Sequence, residues 1–280
     1  MPKKTVVVIG LGLMGGSLAL SLKRKSKRFR IFGISRSRTK IRRAIRRKII
    51  DAGSVRIQDI PSNASAVVIA TPVPNIVPLV KQIEKSAKHS VLVTDVGSTK
   101  HLIHKMLKNA KLKKVDFIGS HPMCGDHATG LAAARKKLYD KSLVFVTADT
   151  GKKESIRKIA SLWREAGADR IIILQAKEHD KIVGEISHLP HLISSILTLC
   201  ASPKNIRLSG PGFKDATRIA QGDAGLWTGI IASNPELSAS LKKFEKVIRD
   251  LRTVIEKKKW LHLKKLLSAS SLRRRTLNTQ

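Results

Sequence analysis

The start of the chain places an apolar strand directly before a glycine-rich turn and a helix. Residues 6–9 read VVVI, residues 10–15 read GLGLMG, and the run from residue 16 continues with helical spacing. A strand, a G-x-G-x-x-G turn and a helix form the unit that binds the pyrophosphate of a dinucleotide. A tight strand-to-helix turn without a ligand is the alternative. The predicted contacts in this segment are Gly10, Gly12, Leu13, Met14 and Gly15.

Each glycine has a separate predicted role. Gly10 permits the tight turn, Gly12 lets the backbone approach phosphate oxygens, and Gly15 lets the helix pack against the strand. The helix N-terminus adds free N–H groups and partial positive charge. Ligands of such sheets lie at the carboxyl ends of strands, and we add Thr71, which directly follows the apolar run of residues 67–70, to the candidate cofactor contacts.

The second predicted strand indicates which dinucleotide binds. A residue about 20 positions beyond the glycines contacts the ribose, where a carboxylate favours NAD and an arginine accommodates the 2′-phosphate of NADP. This strand ends in Ser35, Arg36, Ser37 and Arg38, and no acidic residue follows until Asp51. Ser35, Arg36 and Arg38 are therefore candidate contacts, and we predict NADP as the preferred cofactor, with NAD as the alternative.

Apolar runs rich in β-formers recur along the first 175 residues and alternate with segments of helical spacing. The predicted strands include residues 67–70, 91–94, 117–119, 143–146 and 171–174. This alternation predicts an α/β fold, with an N-terminal Rossmann-type, doubly wound, mostly parallel sheet. Residues 179–200 and 237–268 carry helical apolar spacing instead. We therefore predict a dinucleotide-binding domain over residues 1–175 and an all-helical domain for substrate binding and dimerisation over residues 176–280.

The composition favours a cytoplasmic protein. The chain begins without an apolar signal segment, and no apolar run reaches the roughly 18 residues that span a bilayer. Its two cysteines, Cys124 and Cys200, cannot form a disulfide framework, which agrees with a reducing compartment. We therefore predict no contact with a membrane.

The net charge of +35 is unusually high for an enzyme. Such an excess of lysine and arginine is typical of proteins that bind nucleic acid. The basic runs, however, have no aromatic stacking platform and no recognised nucleic-acid motif beside them. A positive field would attract anionic substrates and NADP, but that needs only a few charges. Nucleic acid is not a predicted partner, and the excess has no physical explanation in the sequence.

Two predicted strand ends carry polar residues that could perform chemistry. Residues 95–100 read DVGSTK, and residues 119–127 read GSHPMCGDH. Ser98 is either the N-cap of the following helix or a residue of an active site. His121 precedes a proline at a strand end, which places it in extended backbone at the mouth of the predicted cleft. His188 and His191 are three residues apart but lack a third ligand at suitable spacing, so we predict no metal site.

Taken together, these segments resemble the prephenate/arogenate dehydrogenase family of tyrosine biosynthesis. The resemblance covers nearly the whole chain in order: GLGLMGGS at 10–17, TDVGSTK at 94–100, GSHPMCG at 119–125, EHDKIVGEISHLPH at 178–191 and GFKDATRIA at 212–220. The family implies an NAD(P)-dependent oxidative decarboxylation, in which the substrate ring loses hydride from C4 and carboxylate from C1 and becomes aromatic. Prephenate or arogenate is the implied small-molecule substrate, and a homodimer formed by the helical domain is the expected assembly.

The resemblance also implies roles for individual residues. His121 corresponds to the histidine that accepts the proton of the C4 hydroxyl, and Ser98 orients either that histidine or the nicotinamide. Arg218 corresponds to the cation that holds the substrate carboxylates. His191 resembles the second substrate-binding histidine, whereas His188 is expected to pack or support its helix.

One position departs from the family pattern. After GSHPMCG the family commonly shows Ser or Thr and then Glu, whereas this chain has Asp126 and then His127. A carboxylate at Asp126 could pair with the amino group of arogenate, which prephenate lacks, or it could cap the helix near Leu131. The choice between the two substrates stays open on the sequence.

Two other interpretations compete with this one. Another two-domain Rossmann oxidoreductase, of the 3-hydroxyacid dehydrogenase or imine reductase type, would share the GLGLMG start but would not explain the HPMCG, SHLPH and FKDATRIA segments together. A basic nucleic-acid-binding protein would explain the charge alone.

Overall fold

The computed structural model describes residues 3–125, 128–149 and 151–278. Its central element is an eight-stranded sheet with the order β3-β2-β1-β4-β5-β6-β7-β8. The strands are β1 (Lys4–Ile9), β2 (Phe29–Ile34), β3 (Ala52–Ser54), β4 (Ala64–Ile69), β5 (Val91–Asp95), β6 (Val115–Pro122), β7 (Leu143–Thr147) and β8 (Arg170–Leu174). Neighbouring strands are parallel except for β6 and β7, which pair antiparallel. The predicted fold class is confirmed.

Twelve α-helices lie within the described residues, and the longer ones begin and end close to the segments of helical spacing. They are α1 (Leu13–Lys25), α2 (Arg38–Arg46), α3 (Ile76–Ser86), α4 (His101–Asn109), α5 (Lys153–Ala166), α6 (Ala176–Val183), α7 (Leu189–Cys200), α8 (Pro203–Ile206), α9 (Pro211–Thr217), α10 (Ala224–Ala232), α11 (Leu237–Glu256) and α12 (Trp260–Arg275). Among the described residues, no strand follows Leu174.

The strands of the sheet are apolar because both of their faces are covered. In β1, residues Thr5 to Ile9 are all buried. Side chains on one face pack with α1 and α5, and their core includes Leu18, Leu22 and Trp163. The opposite face packs against α3 and α4, with Ile76 and Ile103 in a second core. Burial on both faces explains the continuous Val and Ile runs of these parallel strands.

The long apolar stripe at residues 237–268 is interrupted rather than continuous. The backbone of Lys258 is left-handed, with φ of +53°, and this residue lies between the end of α11 and the start of α12. The short strand β3, which pairs with β2, was not predicted from the sequence. Three residues are too few to show a period in an apolar pattern.

Helices α6 and α7 are joined by a widened turn, Gly184–His188, into one helical stretch, Ala176–Cys200. This stretch is 25 residues long and apolar enough by composition to cross a membrane, contrary to the sequence-based expectation that no such run exists. Helices of soluble proteins pass the same test, and this one carries the buried polar residues His179 and Asp180. The absence of membrane contact therefore remains a prediction.

Candidate active site

The carboxyl ends of four adjacent strands lie along one edge of the sheet. Strands β1, β4, β5 and β6 are parallel neighbours, and the chain leaves them at Gly10, Ala70, Val96 and Met123. Polar and glycine-rich segments follow three of these strands, which brings the glycine turn, Ser98 and His121 to the same edge. Open α/β sheets bind their ligands at this edge.

The three motif glycines occupy different environments. Gly10 has φ of +97°, and a side chain there would collide with the backbone of Ala70. A Cβ on Gly15 would collide with the carbonyl oxygen of Gly10. A Cβ on Gly12 would meet no atom within 4 Å. Gly12 therefore borders open space at the N-terminus of α1, where the free backbone N–H groups of a helix can bind an anion.

A cavity of about 820 Å³ adjoins this turn. The predicted residues Gly10, Gly12, Ser35, Arg36 and Thr71 line it, whereas Arg38 is not among its lining residues. The sequence interpretation missed two further cations in the lining. They are Lys40, in the first turn of α2, and Arg56, after β3.

The groups around this cavity fit a dinucleotide. The Thr71 hydroxyl is buried and has no hydrogen-bond partner within the described parts of the chain. Leu13 and Met14 begin α1, and the Met14 carbonyl accepts a hydrogen bond from the buried Tyr139 hydroxyl at 2.8 Å. An unpartnered hydroxyl, an open glycine position and a helix N-terminus match a phosphate-bearing ligand.

The first acidic residue after β2 points elsewhere. The Asp51 carboxylate accepts a hydrogen bond from the backbone N–H of Ile31 at 2.7 Å and pairs with Lys23 Nζ at 2.7 Å. These partners hold the Asp51 carboxylate beside Ile31, within β2, whereas Ser35 follows the end of that strand. No acidic residue lines the described cavity.

A fully buried ion pair supports the loop that carries Ser98. Lys100 Nζ contacts the Asp95 carboxylate, which also accepts from the backbone N–H groups of Gly97 at 2.8 Å and Ser120 at 3.0 Å. The carboxylate thus connects the loop after β5 to the residue that precedes His121. Burial lowers the pKa of Lys100, while the charge of Asp95 opposes this shift.

His121 is the first of three buried side chains in a row. His121 Nδ1 lies 2.9 Å from His179 Nε2, and His179 Nδ1 lies 2.7 Å from Asp180 Oδ1. His121 belongs to β6, whereas His179 and Asp180 belong to α6. The ring of His121 therefore takes its partner from the helical region, and of the two roles that the resemblance implied for Ser98, to orient His121 or to orient the nicotinamide, neither is tested by this contact.

Asp180 also fixes the start of α4. Its carboxylate accepts from the backbone N–H of Lys100 at 2.8 Å and from that of His101 at 2.9 Å. Because α4 begins at His101 with Lys100 as its N-cap, the interpretation of Ser98 as the N-cap is wrong. A carboxylate from a distant helix satisfies these free N–H groups instead.

Burial keeps the histidines of this row neutral. The pKa of His121 lies well below its ordinary value, first because of burial and then because of the neighbouring His179 and Lys100. Burial, with Lys100 nearby, lowers the pKa of His179 to about 2. Burial raises the pKa of Asp180, and the two hydrogen bonds that its carboxylate accepts from backbone N–H groups oppose this shift. A neutral histidine at a ligand-binding edge can accept a proton.

A second polar cluster lies on α7 and its neighbours. The His191 ring stacks on Trp227 with 3.5 Å between ring centroids, and a Cβ at Gly222 would come within 3.0 Å of His191 Cε1. His188 Nδ1 lies 2.9 Å from Asn234 Nδ2. His191 Nδ1 and His188 Nε2 are buried without a hydrogen-bond partner in the described chain, and such unpaired buried polar atoms are unusual enough to mark a functional site.

Of the two remaining predicted residues, Arg218 and Asp126, the structure describes only Arg218. Arg218 is exposed on the short turn Arg218–Gln221, which packs against α7. Asp126 lies outside the described residues. His179, Asp180, Lys100 and Trp227 received no role from the sequence. His179 and Asp180 lie in the polar run KEHDK at 177–181, and no local signal in the sequence distinguishes them from exposed residues.

Nicotinamide-dependent dehydrogenases combine a Rossmann-type sheet and its glycine turn with a proton-accepting group at the ligand-binding edge of the sheet. The structure of this chain has that arrangement. Comparison with known families is consistent with that class. Residues 18–172 match the family described as "Prephenate dehydrogenase, nucleotide-binding domain", and residues 175–269 match "Prephenate dehydrogenase, dimerization domain". The chain belongs to the prephenate dehydrogenase family and is an NAD-dependent oxidoreductase.

Individual relatives agree with this assignment. A prephenate dehydrogenase of Lactococcus lactis is 34% identical over 91% of this chain and 72% of the relative. A prephenate dehydrogenase of A. aeolicus, solved in complex with hydroxyphenyl propionate and NAD+, superposes with a TM-score of 0.89 at 27% identity, covering 99% of both chains. An arogenate dehydrogenase of Synechocystis superposes with a TM-score of 0.83 at 27% identity, covering 96% of this chain and 98% of that one.

Proposed function

We propose that this chain oxidatively decarboxylates prephenate or arogenate and that NADP is its preferred cofactor. The observation that carries the proposal is the buried, neutral His121 at the same sheet edge as the glycine turn and the cation-lined cavity. The family of the chain supports the reaction class. The nicotinamide, when bound, supplies the hydride acceptor.

His121 holds the proton during the reaction. As hydride leaves C4, the C4 hydroxyl loses its proton to the neutral imidazole and becomes a carbonyl. The C1 carboxylate then departs as carbon dioxide, its bonding electrons make the ring aromatic, and the resulting phenolate takes the proton back. Since the ring gains aromatic stability, the protein chiefly positions the substrate and moves this proton.

Arg218 and His191 bind the substrate in this proposal. A guanidinium can hold a carboxylate through two parallel hydrogen bonds, and Arg218 is exposed beside α7. His191, fixed by its stack on Trp227, offers an unpartnered ring nitrogen. Ser98 is half-buried at the end of β5 and orients the reacting groups.

The preference for NADP is supported by the charge of the cavity. Arg36, Lys40 and Arg56 line it together with Ser35, and the described lining contains no carboxylate. A 2′-phosphate carries two additional negative charges, which these cations would neutralise, whereas the NAD ribose would lack its usual carboxylate partner. Arg38 remains a candidate only on the sequence.

The proposal extends to assembly and location. We propose a division between domains at residues 175 and 176, a homodimer formed by the helical domain, and a cytoplasmic protein. The match to a family dimerization domain supports the homodimer, as do exposed apolar side chains on the helical region. These include Ile196, Leu199, Leu208, Val247 and Leu261, of which Leu199 is 84% exposed. Cys124 and Cys200 are both free thiols, as in a reducing compartment.

Turnover assays test the function. The purified chain is offered prephenate or arogenate with NADP or NAD, and the absorbance of reduced nicotinamide is followed. His121→Asn is expected to lower kcat by about 10²- to 10⁴-fold. His262→Asn, at an exposed position on α12, is the matched control and keeps wild-type rates. Lack of turnover by the wild-type chain in every combination would disprove the proposal.

A further inference from the structure

The direction of the hydrogen bonds in the row His121, His179 and Asp180 can be derived from its last member. The three side chains are 7%, 0% and 0% exposed, so solvent does not supply alternative partners. A neutral imidazole carries one N–H group and one lone pair. Each contact in the row therefore needs one ring nitrogen that donates and one group that accepts.

The ionised carboxylate of Asp180 can only accept hydrogen bonds. Its Oδ1 accepts from the backbone N–H of Lys100, and its Oδ2 accepts from that of His101. Both donors are fixed by the backbone at the start of α4, and an ionised carboxylate has only lone pairs to offer. His179 Nδ1, 2.7 Å from Oδ1, must therefore carry the proton of the His179 ring.

This assignment determines the state of His121. With its proton on Nδ1, His179 presents a lone pair at Nε2, 2.9 Å from His121 Nδ1. His121 Nδ1 must then carry a proton and donate it to this contact. The only lone pair that remains on the His121 ring is at Nε2, which is the nitrogen that can take a proton from a substrate.

We propose that Asp180 is a positioning residue that acts through His179 to hold His121 as the Nδ1–H tautomer, with Nε2 as the proton acceptor. The opposite arrangement would turn a lone pair of His179 toward the Asp180 carboxylate and leave that buried oxygen without its side-chain donor. The role of Nε2 in turnover depends on the function proposed above, whereas the tautomer itself does not.

The row also joins the two parts of the fold. His121 lies on the sheet, whereas His179 and Asp180, which set its tautomer, lie on α6. His179 follows His121 by 58 residues in the sequence. Helix α6 is in turn held by the contacts of Asp180 with the start of α4. Correct docking of α6 on the sheet is therefore a condition for a proton-accepting His121.

Nitrogen-15 NMR of the histidine rings tests the tautomer directly. In the full-length chain labelled with ¹⁵N-histidine, two-bond nitrogen–proton correlations distinguish Nδ1–H from Nε2–H rings, and spectra of His121→Gln and His179→Gln assign the two signals. We expect Nδ1–H for both residues in the wild type. An Nε2–H signal for His121 would overturn the proposal, and this outcome requires no variant of Asp180 to fold.

Removal of the carboxylate tests its effect on turnover. Asp180→Ala is expected to mix the two tautomers of His121 and to lower kcat by about 10²-fold, with KM changed less than about threefold. Glu84→Ala is the matched control, because Glu84 likewise accepts hydrogen bonds from backbone N–H groups of another segment, those of Lys113, Lys114 and Val115, at the opposite end of β6 from His121. It should keep both the tautomer and kcat of the wild type.

A double-variant cycle separates an action through His179 from an independent effect. In a His179→Gln background, Asp180→Ala should reduce kcat by less than about threefold further, because the path through the imidazole is already gone. A full, additive loss would overturn the proposal. If the wild type shows the Nδ1–H signal but turns over no substrate, the proposed function fails while the tautomer assignment stands.

Discussion

The ammonium of Lys100 and the carboxylate of Asp95 form an ion pair in which both side chains are 0% exposed. Through the further contacts of Asp95 with the backbone of Gly97 and Ser120, this pair holds the loop after β5 against β6, the strand that carries His121. The Asp95 and Lys100 positions, which the sequence interpretation left without a role, are therefore structural supports of the candidate site.

Replacing Lys100 by methionine should destabilise the protein strongly. The variant leaves the Asp95 carboxylate buried without its cation, and breaking a buried pair costs about 3–5 kcal/mol of unfolding free energy. Urea unfolding measures the loss. Lys158→Met, which breaks an exposed pair with Glu154 on α5, should change the stability by less than about 0.5 kcal/mol.

A second variant identifies the cause of that loss. Asp95→Asn combined with Lys100→Met removes both charges, so the double variant should be more stable than Lys100→Met alone. If the double variant is instead the less stable of the two, the uncompensated charge is not what destabilises Lys100→Met.

Local patterns predicted the parts of this molecule that depend on neighbours in sequence. The glycine turn, every strand except β3 and the main helices follow from spacing and apolar runs within about 20 residues. The partners of His121 could not be found in this way, because His179 lies 58 residues away in sequence and reaches the site only when α6 docks on the sheet. The same holds for the contact of Asp180 with Lys100, which spans 80 residues.

The sequence also could not tell which cations face the cavity. Ser35, Arg36 and Arg38 follow one another after β2, yet Arg36 lines the cavity and Arg38 does not. The direction of each side chain is set by where α2 begins, and helix boundaries are the least certain part of a sequence interpretation. Lys40 and Arg56 join the cavity because α2 and the segment after β3 meet there.

Alanine at Gly12 should weaken binding of the cofactor while the fold is preserved. The added methyl group meets no protein atom within 4 Å, but it occupies the space through which phosphate oxygens approach the backbone. We expect the Kd for NADP to rise at least about tenfold, measured by titration calorimetry, with the thermal midpoint of the unliganded protein within about 2 °C of wild type.

Gly15→Ala is the contrasting variant at the same turn. Its methyl group would collide with the Gly10 carbonyl and the side chain of Val8. This variant should therefore lower the free energy of unfolding of the unliganded protein by about 1–3 kcal/mol, as is typical of an overpacked core position, and should lower its thermal midpoint accordingly. Equal stability of the two variants would contradict the different roles assigned to these glycines.

Loss of the Arg36 guanidinium should reduce the preference for NADP over NAD. If NADP binds as proposed, Arg36→Ala removes a charge-assisted contact with the 2′-phosphate of about 1.5–3 kcal/mol. The value of kcat/KM for NADP should then fall by about 10- to 100-fold, while that for NAD changes little. Arg42→Ala, at an exposed position on α2 outside the cavity lining, is the control. An equal fall for both cofactors would assign Arg36 a role other than contact with the phosphate.

A change at Asp126 should distinguish the two substrates. If its carboxylate pairs with the amino group of arogenate, Asp126→Asn should lower kcat/KM for arogenate by about tenfold or more and leave turnover of prephenate unchanged or faster, because prephenate carries a keto oxygen there. Steady-state kinetics with each substrate measure both effects. Parallel changes for the two substrates would favour a purely structural role for this side chain.

The buried histidines should make the fold less stable as the solution becomes acidic. An unfolded histidine titrates near pH 6.5, whereas burial lowers the pKa of His188 to about 4 and of His179 to about 2, and places that of His121 well below its ordinary value. Between about pH 6.5 and 4 the unfolded chain therefore binds protons that the folded chain does not. The free energy of unfolding should fall by up to about 1.4 kcal/mol per pH unit for each such group.

Urea unfolding at several pH values across this window measures the slope, and one substitution assigns part of it. His188→Gln removes one titrating group, so its stability should decline less steeply than that of the wild type, although its absolute stability at neutral pH is lower because the contact with Asn234 changes. His262→Gln, on the exposed side of α12, should leave the slope unchanged. The raised pKa of Asp180 acts in the opposite sense, since the folded chain then binds a proton that the unfolded chain lacks, and the decline should therefore flatten toward the acidic end of the window.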